Sequence, residues 1–538
     1  MVQGYNNENA EMLGVSAGNV ASFLLVGKVL AVVAGAANFI IIARLLQPSN
    51  YGLYTLAIGL FGLFSTFAGL NVSAYFNKKI PELVGNNDKY QVSRVLGNGF
   101  AISIVLAIVF AAIGILGMKV ISTYIFHSQS ANTIIEITAI GTIISIVWTN
   151  LYAALISFGE GKHAAISSVI SAVVQAIVSI SLVFYGFGVV GALIGIFAGL
   201  FVGVAYGLVF LYRYSSIVFD VKYFVKRAKD IVTFSVPLTI SNILNSAAGN
   251  LAVLFLGSLF AANVIGSYGV ATKVGNFMDI IIGSISLVLI PMFASAYTRK
   301  SISKHIGRMY DYSIYFGLLF AMPLIVFVVV FSKSLVSLLV SASYTTTLQV
   351  ISVPLLGSVS AGTPLYVVAV GIGILIGIIN TFGTALATSK GDVEKVMKYS
   401  IIVFIAQMIS LIALVPTYGA LGVIFSLFYI NNIIGVLLFY NYAKLTLKLK
   451  VEYNVGKIII SNVILGVLLF AVLLAVSNQM FEILAGGIVM LLAYPPILGL
   501  LGGIKHYEMN LLRQIGSRMP IAGFLIRPFI EYADIFAK

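Results

Sequence analysis

Fourteen apolar stretches, most of them about 20 residues long, constrain this 538-residue chain more than any other feature. About 20 apolar residues cross a bilayer as a helix, which satisfies its own backbone hydrogen bonds. Only 9% of the residues are charged, against roughly a quarter in a soluble domain. The sequence therefore predicts an all-α polytopic membrane protein with about 14 transmembrane helices. The predicted spans are 22–43, 53–76, 97–118, 134–157, 165–185, 189–212, 233–257, 266–296, 311–332, 363–387, 399–417, 420–443, 457–477 and 483–504.

The basic residues predict which loops face the cytoplasm. With the N-terminus inside, 26 of the 31 lysines and arginines lie in inner segments, and Arg44, Lys119 and Lys333 lie in outer loops. Cytoplasmic loops carry this excess of positive charge. We therefore expect a multi-pass protein of the cell membrane with both termini in the cytoplasm and no removable signal peptide. The net charge of +14 is spread over these loops, so we expect no nucleic-acid partner.

Three regions outside the apolar stretches carry weaker signals. Residues 213–232 place Lys222, Lys226, Arg227 and Lys229 at helical spacing, which favours an amphipathic helix on an anionic membrane surface, with partner binding as the alternative. Residues 505–538 mix apolar and basic side chains and predict a second interfacial segment. Residues 333–362, which are rich in Ser, Thr, Pro and Gly, predict an interfacial or re-entrant piece.

Two pairs of short stretches repeat along the chain. Tyr51–Ala57 is similar to Ile265–Ala271 at an offset of 214, and Phe187–Gly191 is similar to Tyr418–Gly422 at an offset of 231. The members of each pair occupy corresponding places among the predicted helices, with six helices in each half. Parallel repeats of this kind build transporters with a cavity between two lobes.

The repeat divides the chain into predicted parts. We expect an N-terminal lobe of helices one to six in residues 1–212 and a cytoplasmic linker in 213–232. A C-terminal lobe of helices seven to twelve follows in 233–443, and helices thirteen and fourteen follow in 444–504. Residues 505–538 form a cytoplasmic amphipathic tail in this scheme.

A resemblance to a known family starts at the end of the first predicted helix. The segment Ala43-Arg44-Leu45-Leu46-Gln47-Pro48-Ser49-Asn50-Tyr51-Gly52-Leu53-Tyr54 resembles the signature that opens Wzx-type polysaccharide flippases. Phe61–Tyr75, the pair Lys78-Lys79 and the turn Phe187–Gly191 also fit. These flippases share a superfamily with MATE exporters and the lipid II flippase. The resemblance covers most of the chain and implies a V-shaped, two-lobed fold that moves lipid-linked sugars by alternating access.

Two lysines lie inside predicted membrane helices. Lys28 shares its helical face with Ala31, Gly35 and Asn38, which suits a cavity wall, although a lysine about 9 Å from the helix end could also extend to the interface. Lys273 lies in predicted helix eight. In flippases similar to this chain, basic residues of helices one, two and eight line the central cavity. The resemblance therefore implies a cationic substrate site at Lys28 and Lys273, with Arg44 at the outer end of helix one as a weaker candidate.

Asp279 is the acidic residue that the predicted spans place near the middle of the membrane. It lies about 120° around helix eight from Lys273, and Asn276 is three residues from each. Charged residues inside a membrane usually face the protein interior or a cavity. We predict Asp279 and Asn276 as gating residues or proton partners. A structural pairing that holds helix eight to a neighbour is the alternative.

The polar residues of helices seven and twelve are amides. Some relatives build a sodium site from carboxylates in these helices, but this chain has Asn242, Asn245, Asn250, Asn431 and Asn432 there. We therefore expect no such sodium site, and hydrogen bonds between helices are the alternative role. The four histidines are scattered over loops, and no nucleotide, hydrolase or metalloprotease motif occurs. We expect no metal site, no catalytic residue and no cofactor.

Three functions remain to be compared. The resemblance implies a flippase that moves polyprenyl-(di)phosphate-linked oligosaccharide to the outer leaflet for cell-surface polysaccharide or glycoprotein assembly, and the two lysines inside predicted helices suit an anionic substrate. Its partners would be the anionic lipid-linked glycan, membrane lipids and, as candidates, glycan-assembly enzymes. A cation-coupled exporter of small molecules is the first alternative, but it would favour acidic residues in the cavity. An integral-membrane glycosyltransferase or polysaccharide polymerase is the second, but the outer loops are short.

Overall fold

The computed structural model describes residues 2–86, 88–219, 221–298, 303–353, 357–447, 455–506, 509–510, 513 and 530–536. Most of the described residues are helical, and each predicted apolar stretch falls mainly on one helix or on consecutive helices. The helices are α1 (Val2–Gly69), α2 (Val72–Gly85), α3 (Lys89–Leu116), α4 (Met118–Tyr124), α5 (Asn132–Ser157), α6 (Gly161–Leu182), α7 (Gly188–Tyr214), α8 (Val221–Leu259), α9 (Ala262–Thr298), α10 (Ser303–Val330), α11 (Ser332–Leu339), α12 (Ser343–Thr346), α13 (Thr363–Lys390), α14 (Val393–Tyr418), α15 (Ala420–Ile424), α16 (Asn431–Leu447), α17 (Val455–Ala475) and α18 (Gln479–Leu500). The strands are β1 (Leu348–Val353) and β2 (Gly357–Gly362).

Among the described residues, eleven helical segments are long and apolar enough to cross a membrane. Two of these segments are Val26–Gly85, with 60 residues, and Gly161–Tyr214, with 54. Each is longer than a single membrane crossing requires, because a helix rises about 1.5 Å per residue and the hydrocarbon core is about 30 Å thick. Each long segment contains a break in its helical geometry. The predicted all-α polytopic membrane fold is confirmed, whereas the number of fourteen helices stays a prediction.

The first break lies at Gln47, inside the stretch where the sequence predicts one. Gln47 has φ 60° and ψ 170°, outside the helical region, and Pro48 follows it. The residue before a proline is disfavoured in helical geometry, which explains the position of the break. The Gln47 Nε2 group donates a hydrogen bond of 2.6 Å to the carbonyl oxygen of Arg44 and so ties the end of the first half of α1.

The chain forms two compact units, and the first comprises Met1–Gly269. One of its cores lies where α2, α3 and α5 meet. Phe76 and Ile80 of α2, Leu96 of α3, and Leu151 and Leu155 of α5 are all at most 1% exposed in this core. Burying side chains of this size stabilises the unit by about 1.5–3 kcal/mol each when water is the reference solvent.

The first repeat pair makes a direct helix contact within this unit. Gly52 of α1 lies so close to α9 that a Cβ atom there would overlap the carbonyl group of Ala262. Gly266 of α9 lies equally close to the carbonyl oxygen of Pro48. Further along, Gly269 faces the Thr55 side chain. The two repeated stretches thus pack through their glycines, which allow the backbones to approach closely.

The second repeat pair has matching backbone geometry. Gly188, the first residue of α7, has φ 53° and ψ −134°, and Gly419, just before α15, has φ 53° and ψ −125°. A positive φ is accessible to glycine because it has no Cβ atom. The similarity of Phe187–Gly191 to Tyr418–Gly422 therefore reflects one turn conformation used twice, between two helices in each case.

The second unit comprises Val270–Lys538. One of its cores joins α10 to α17 and α18, with Leu319, Leu465 and Leu469 fully buried. The Tyr494 hydroxyl of α18 donates a hydrogen bond of 3.0 Å to the Leu319 carbonyl oxygen. The last two long helices are therefore packed against α10. The boundary between the two units lies inside α9, between Gly269 and Val270, whereas the predicted lobes are separated by the linker 213–232. The limits of the lobes stay predictions.

The region between α10 and α13 departs from the all-helical pattern. After the short helices α11 and α12, strands β1 and β2 pair antiparallel, with Leu348 opposite Gly362 and Val353 opposite Gly357. The Tyr366 hydroxyl of α13 donates a hydrogen bond of 3.1 Å to Gln349 Oε1 and fixes the hairpin to the helix. The sequence indicated an interfacial or re-entrant piece at 333–362, and the hairpin was not predicted.

Two predicted amphipathic segments lie partly outside the described residues. The helix α8 begins at Val221 and continues without interruption to Leu259. The predicted linker helix and the predicted seventh helix are therefore one continuous helix. The side chains of the linker lysines and of Arg227 lie outside the described residues. Residues 514–529, about half of the predicted tail 505–538, also lie outside them.

The turn between α13 and α14 is held by a carboxylate. Asp392 accepts a hydrogen bond of 2.5 Å from the Tyr442 hydroxyl of α16, and the ammonium groups of Lys390 and Lys395 lie 3.4 and 3.7 Å from its Oδ2 atom. The hydrogen bond from Tyr442, with a further contribution from the two lysines, lowers the pKa of Asp392 below its ordinary value of 3.8. The Asp392 carboxylate therefore stabilises the fold at pH values above 3.8, and this contribution is lost as the pH falls below that value.

We expect Asp392→Asn to lower the free energy of unfolding at pH 7 by about 1 kcal/mol, because the neutral amide cannot replace a charged acceptor. The difference from the wild type should shrink below pH 3.8, where the wild-type carboxylate also becomes protonated. Thermal unfolding in detergent at several pH values measures this. Glu136→Gln is the matched control, since that side chain is exposed on α5. A difference that is independent of pH would contradict the assignment to the carboxylate charge.

Candidate functional site

Lys273, Asn276 and Asp279 follow one another along α9 and are spread over about 120° of its circumference. All three side chains are exposed, and they follow one another at intervals of three residues. The opposite side of the helix is packed, because a Cβ atom at Gly275 would overlap Val370 of α13. Within the described part of the chain, neither Lys273 nor Asp279 forms an ion pair. Among the described hydrogen bonds, none joins Asn276 to Lys273 or Asp279, so the two charged side chains are separate groups there.

Lys28 and Arg44 lie on α1, in the other unit. The Lys28 side chain is exposed, and a Cβ atom added to its neighbour Gly27 would lie 2.6 Å from the Ala165 Cβ atom of α6. On the predicted Lys28 face, Gly35 is exposed and has open space around it, whereas Asn38 is 6% exposed. Arg44 is exposed just before the break at Gln47. The structure places Lys273, Asn276 and Asp279 on α9 and Lys28 and Arg44 on α1, and a site that combines them stays a prediction.

The amides of predicted helix twelve hold helices together. Asn432 Nδ2 donates a hydrogen bond of 2.9 Å to the Gly373 carbonyl oxygen of α13, and Asn380 Nδ2 donates one of 3.2 Å to Asn432 Oδ1. In the first unit, the Asn250 side chain of α8 packs against Gly62 of α1. Across the described ranges, no three His, Asp or Glu side chains are grouped so that they could hold a metal ion.

A second break in the first membrane segment was not predicted. The helix predicted over 53–76 ends at Gly69, and α2 begins at Val72. Between them, Leu70 and Asn71 have φ values of 38° and 51°. Positive φ in residues other than glycine costs about 1–3 kcal/mol and is often found at functional sites. Asn tolerates positive φ better than most residues other than glycine. Asn71, two residues after Gly69, was therefore the sequence feature that could have indicated this break.

A polar cavity of about 290 Å³ lies at this break. It lies within the first unit and is bordered by α1, α2, α5 and α8. Its lining residues are Ser65, Thr66, Gly69, Asn71, Ser73, Ile146, Thr149, Asn150, Asn242, Ile243 and Ser246. Eight of these eleven carry a hydroxyl or an amide group, and none is charged. Asn242, one of the amides of predicted helix seven, therefore belongs to a neutral polar wall.

Comparison with known proteins assigns the family. A profile of the polysaccharide biosynthesis protein family matches residues 41–349, more than half of the chain. The chain belongs to this family. The resemblance to Wzx-type flippases is thereby confirmed. No curated protein matched the chain by sequence.

Solved structures agree on the fold. The lipid II flippase MurJ in an inward closed conformation is similar with a TM-score of 0.68 at 17% identity, over 89% of this chain and 98% of MurJ. An inward-facing multidrug resistance MATE family transporter of the MOP superfamily gives 0.64 at 16% identity, over 78% and 94%. A MOP superfamily transporter from Pyrococcus furiosus gives 0.53 at 16%, over 81% and 96%. The chain therefore has the fold of these transporters.

Proposed function

We propose that this protein moves polyprenyl-(di)phosphate-linked oligosaccharide from the cytoplasmic to the outer leaflet of the cell membrane, for cell-surface polysaccharide or glycoprotein assembly. Alternating access between the two predicted lobes would carry the head group across, with both termini in the cytoplasm. Lys273 and Lys28, with Arg44 as a weaker candidate, would bind the phosphate groups. Asp279 and Asn276 would act in gating or proton exchange.

The observation that carries the proposal is the exposed side chain of Lys273 on α9, the eighth predicted membrane helix. A lysine near the centre of a membrane helix costs about 2.5–3.5 kcal/mol for insertion and usually faces a water-filled cavity. Within the described residues it has no ion-pair partner that would account for this cost. An anionic ligand would supply the missing charge, and membership of the polysaccharide biosynthesis protein family makes a lipid-linked diphosphate the best match.

The membrane potential can drive this transport without a coupling ion. A diphosphate that carries about two negative charges would gain roughly 4–5 kcal/mol per 100 mV on leaving a negative interior. This gain in free energy from the membrane potential does not require a sodium site. The amides of α8 and α16 do not favour such a site. Outward movement should therefore respond to an imposed potential.

The second candidate function is cation-coupled export of small molecules. The observation in its favour is Asp279, which is exposed on α9 and has no ion-pair partner in the described ranges. A carboxylate of this kind would attract an organic cation. The excess of basic over acidic groups at the proposed site disfavours this function, since Lys273 would repel the same cation.

Reconstitution into liposomes tests both candidates. We expect the protein to move a fluorescent polyprenyl diphosphate with an attached sugar across the bilayer, and we expect a potassium diffusion potential that is negative at the cytoplasmic side to accelerate outward movement. A headgroup-modifying reagent added outside measures the arrival of the probe. A fluorescent quaternary ammonium probe serves as the comparison. Movement of that cation without movement of the lipid would contradict the flippase proposal.

A further inference from the structure

The neutral cavity at the break between α1 and α2 suggests how the sugar part of such a substrate is held. This inference rests on the proposed function and concerns the sugar rather than the phosphate. A cavity of about 290 Å³ is at the lower end of the range for small-molecule sites. It would accommodate a small part of an oligosaccharide rather than the whole chain.

The lining excludes a charged ligand on energetic grounds. None of the eleven lining residues carries a charge, so a buried phosphate or an organic cation would lack a compensating group. Only Ile146 and Ile243 present large apolar surfaces, so the cavity is also unsuited to a lipid chain. A neutral ligand with many hydroxyl groups remains, and sugars have this chemistry.

The side chains that line the cavity retain both hydrogen-bond donors and hydrogen-bond acceptors for a ligand. Asn150 is 2% exposed, and its Nδ2 group has no hydrogen-bond partner within the described part of the chain. The Ser65 hydroxyl is also buried without a partner there. Thr66 and Thr149 donate their hydroxyl hydrogens to carbonyl oxygens of their own helices at 2.7 and 2.9 Å, so their oxygen lone pairs remain available. A sugar hydroxyl donates one hydrogen bond and accepts others, which matches this set.

The strained backbone keeps one more polar group at the cavity. Asn71 has φ 51°, and its Oδ1 atom accepts a hydrogen bond of 3.2 Å from the Ser73 hydroxyl. Glycine would adopt the same backbone angles without strain. The break in the helix alone would therefore be served better by glycine, and the amide side chain points to a use in binding. Broken helices with exposed backbone groups form substrate sites in other transporters.

We propose that this cavity, formed by α1, α2, α5 and α8, binds one uncharged sugar ring of the lipid-linked glycan. Asn150 donates a hydrogen bond to a ring hydroxyl or acetamido oxygen, and Thr66 and Thr149 accept hydrogen bonds from sugar hydroxyls. The phosphate groups bind elsewhere, at the basic residues. Recognition of sugar and phosphate is thus separated between a neutral and a charged region.

Two lipid probes with the same fluorescent chain test this separation. One is a polyprenyl diphosphate that carries a single N-acetylhexosamine, and the other is the same lipid without sugar. We expect Asn150→Leu and Thr149→Val to lower the movement of the glycosylated probe at least tenfold and to leave the bare diphosphate lipid unaffected. Asn71→Gly should behave in the same way. Thr133→Val on α5 is the matched control, since Thr133 is exposed outside the cavity.

Thermal stability separates binding from folding. Because the buried Asn150 Nδ2 group has no partner in the described residues, Asn150→Leu should unfold at the same temperature as the wild type or higher. Equal loss of movement for the two lipids, or loss for neither, would overturn the cavity proposal. If the wild type moves neither lipid, the proposed function itself fails, and the inference fails with it.

Discussion

Gly52→Ala should lower both the unfolding temperature and the transport rate strongly. The added Cβ atom would overlap the backbone carbonyl of Ala262, which cannot move away as a flexible side chain could. Overpacking of a close contact costs about 1–3 kcal/mol, and more where backbone must shift. The structure can relieve the overlap only by separating α1 from the start of α9. Gly266→Ala should act in the same way through the Pro48 carbonyl.

This contact connects the two copies of the first repeat, so its loss would also affect transport. One copy belongs to the predicted N-terminal lobe and the other to the predicted C-terminal lobe. If the lobes close and open during alternating access, this glycine contact must form in one state. We therefore expect a transport rate at least tenfold below the wild type in liposomes. Unfolding followed by size-exclusion chromatography after heating in detergent provides the stability measurement.

Gly249→Ala provides the matched control for both measurements. Gly249 lies on α8, and a Cβ atom there would meet no atom within 4 Å. Alanine favours helix over glycine by about 1 kcal/mol, so this variant should be as stable as the wild type or slightly more stable. A Gly52→Ala protein that unfolds and transports like the Gly249→Ala protein would show that the contact is unimportant.

Lys273→Gln should reduce the movement of a diphosphate lipid tenfold or more. Hydrogen bonds to a charged group contribute about 1.5–3 kcal/mol, and about 1.4 kcal/mol corresponds to a factor of ten. Glutamine retains much of the side-chain length but loses the charge. Lys273→Arg should retain much of the activity, because the guanidinium group also binds phosphate. The rate of transbilayer movement in liposomes is the measurement.

The stability of the Lys273→Gln protein distinguishes binding from structure. Lys273 has no ion pair with another described residue, so the unfolding temperature of this variant should not decrease. Lys119→Gln is the control for a lysine in a predicted outer loop, and it should transport like the wild type. If Lys28→Gln and Lys273→Gln together leave the rate unchanged, the cationic site is wrong.

Much of the helical architecture could be predicted because apolar length alone specifies a membrane helix. The break at Gln47 was also predictable, since Pro48 disfavours helical geometry in the preceding residue. The break at Leu70 was not, because leucine has no preference for positive φ and only the surrounding contacts can hold it there. The β1–β2 hairpin was missed for a similar reason: Leu348–Val353 is a short apolar run that fits either a strand or a helix.

The sequence by itself determined the membrane-spanning helices, the repeated glycine motifs and the lysine in α9, because hydropathy, composition and charge are properties of single stretches of chain. Only the tertiary structure decided that Gly52 meets Ala262 and that Asn150 and Thr66 share a cavity. These pairs are distant in sequence, and their contacts depend on how close the helices pack. A glycine motif in the sequence shows that another backbone can approach closely at that position. Which backbone lies there is known only from the tertiary structure.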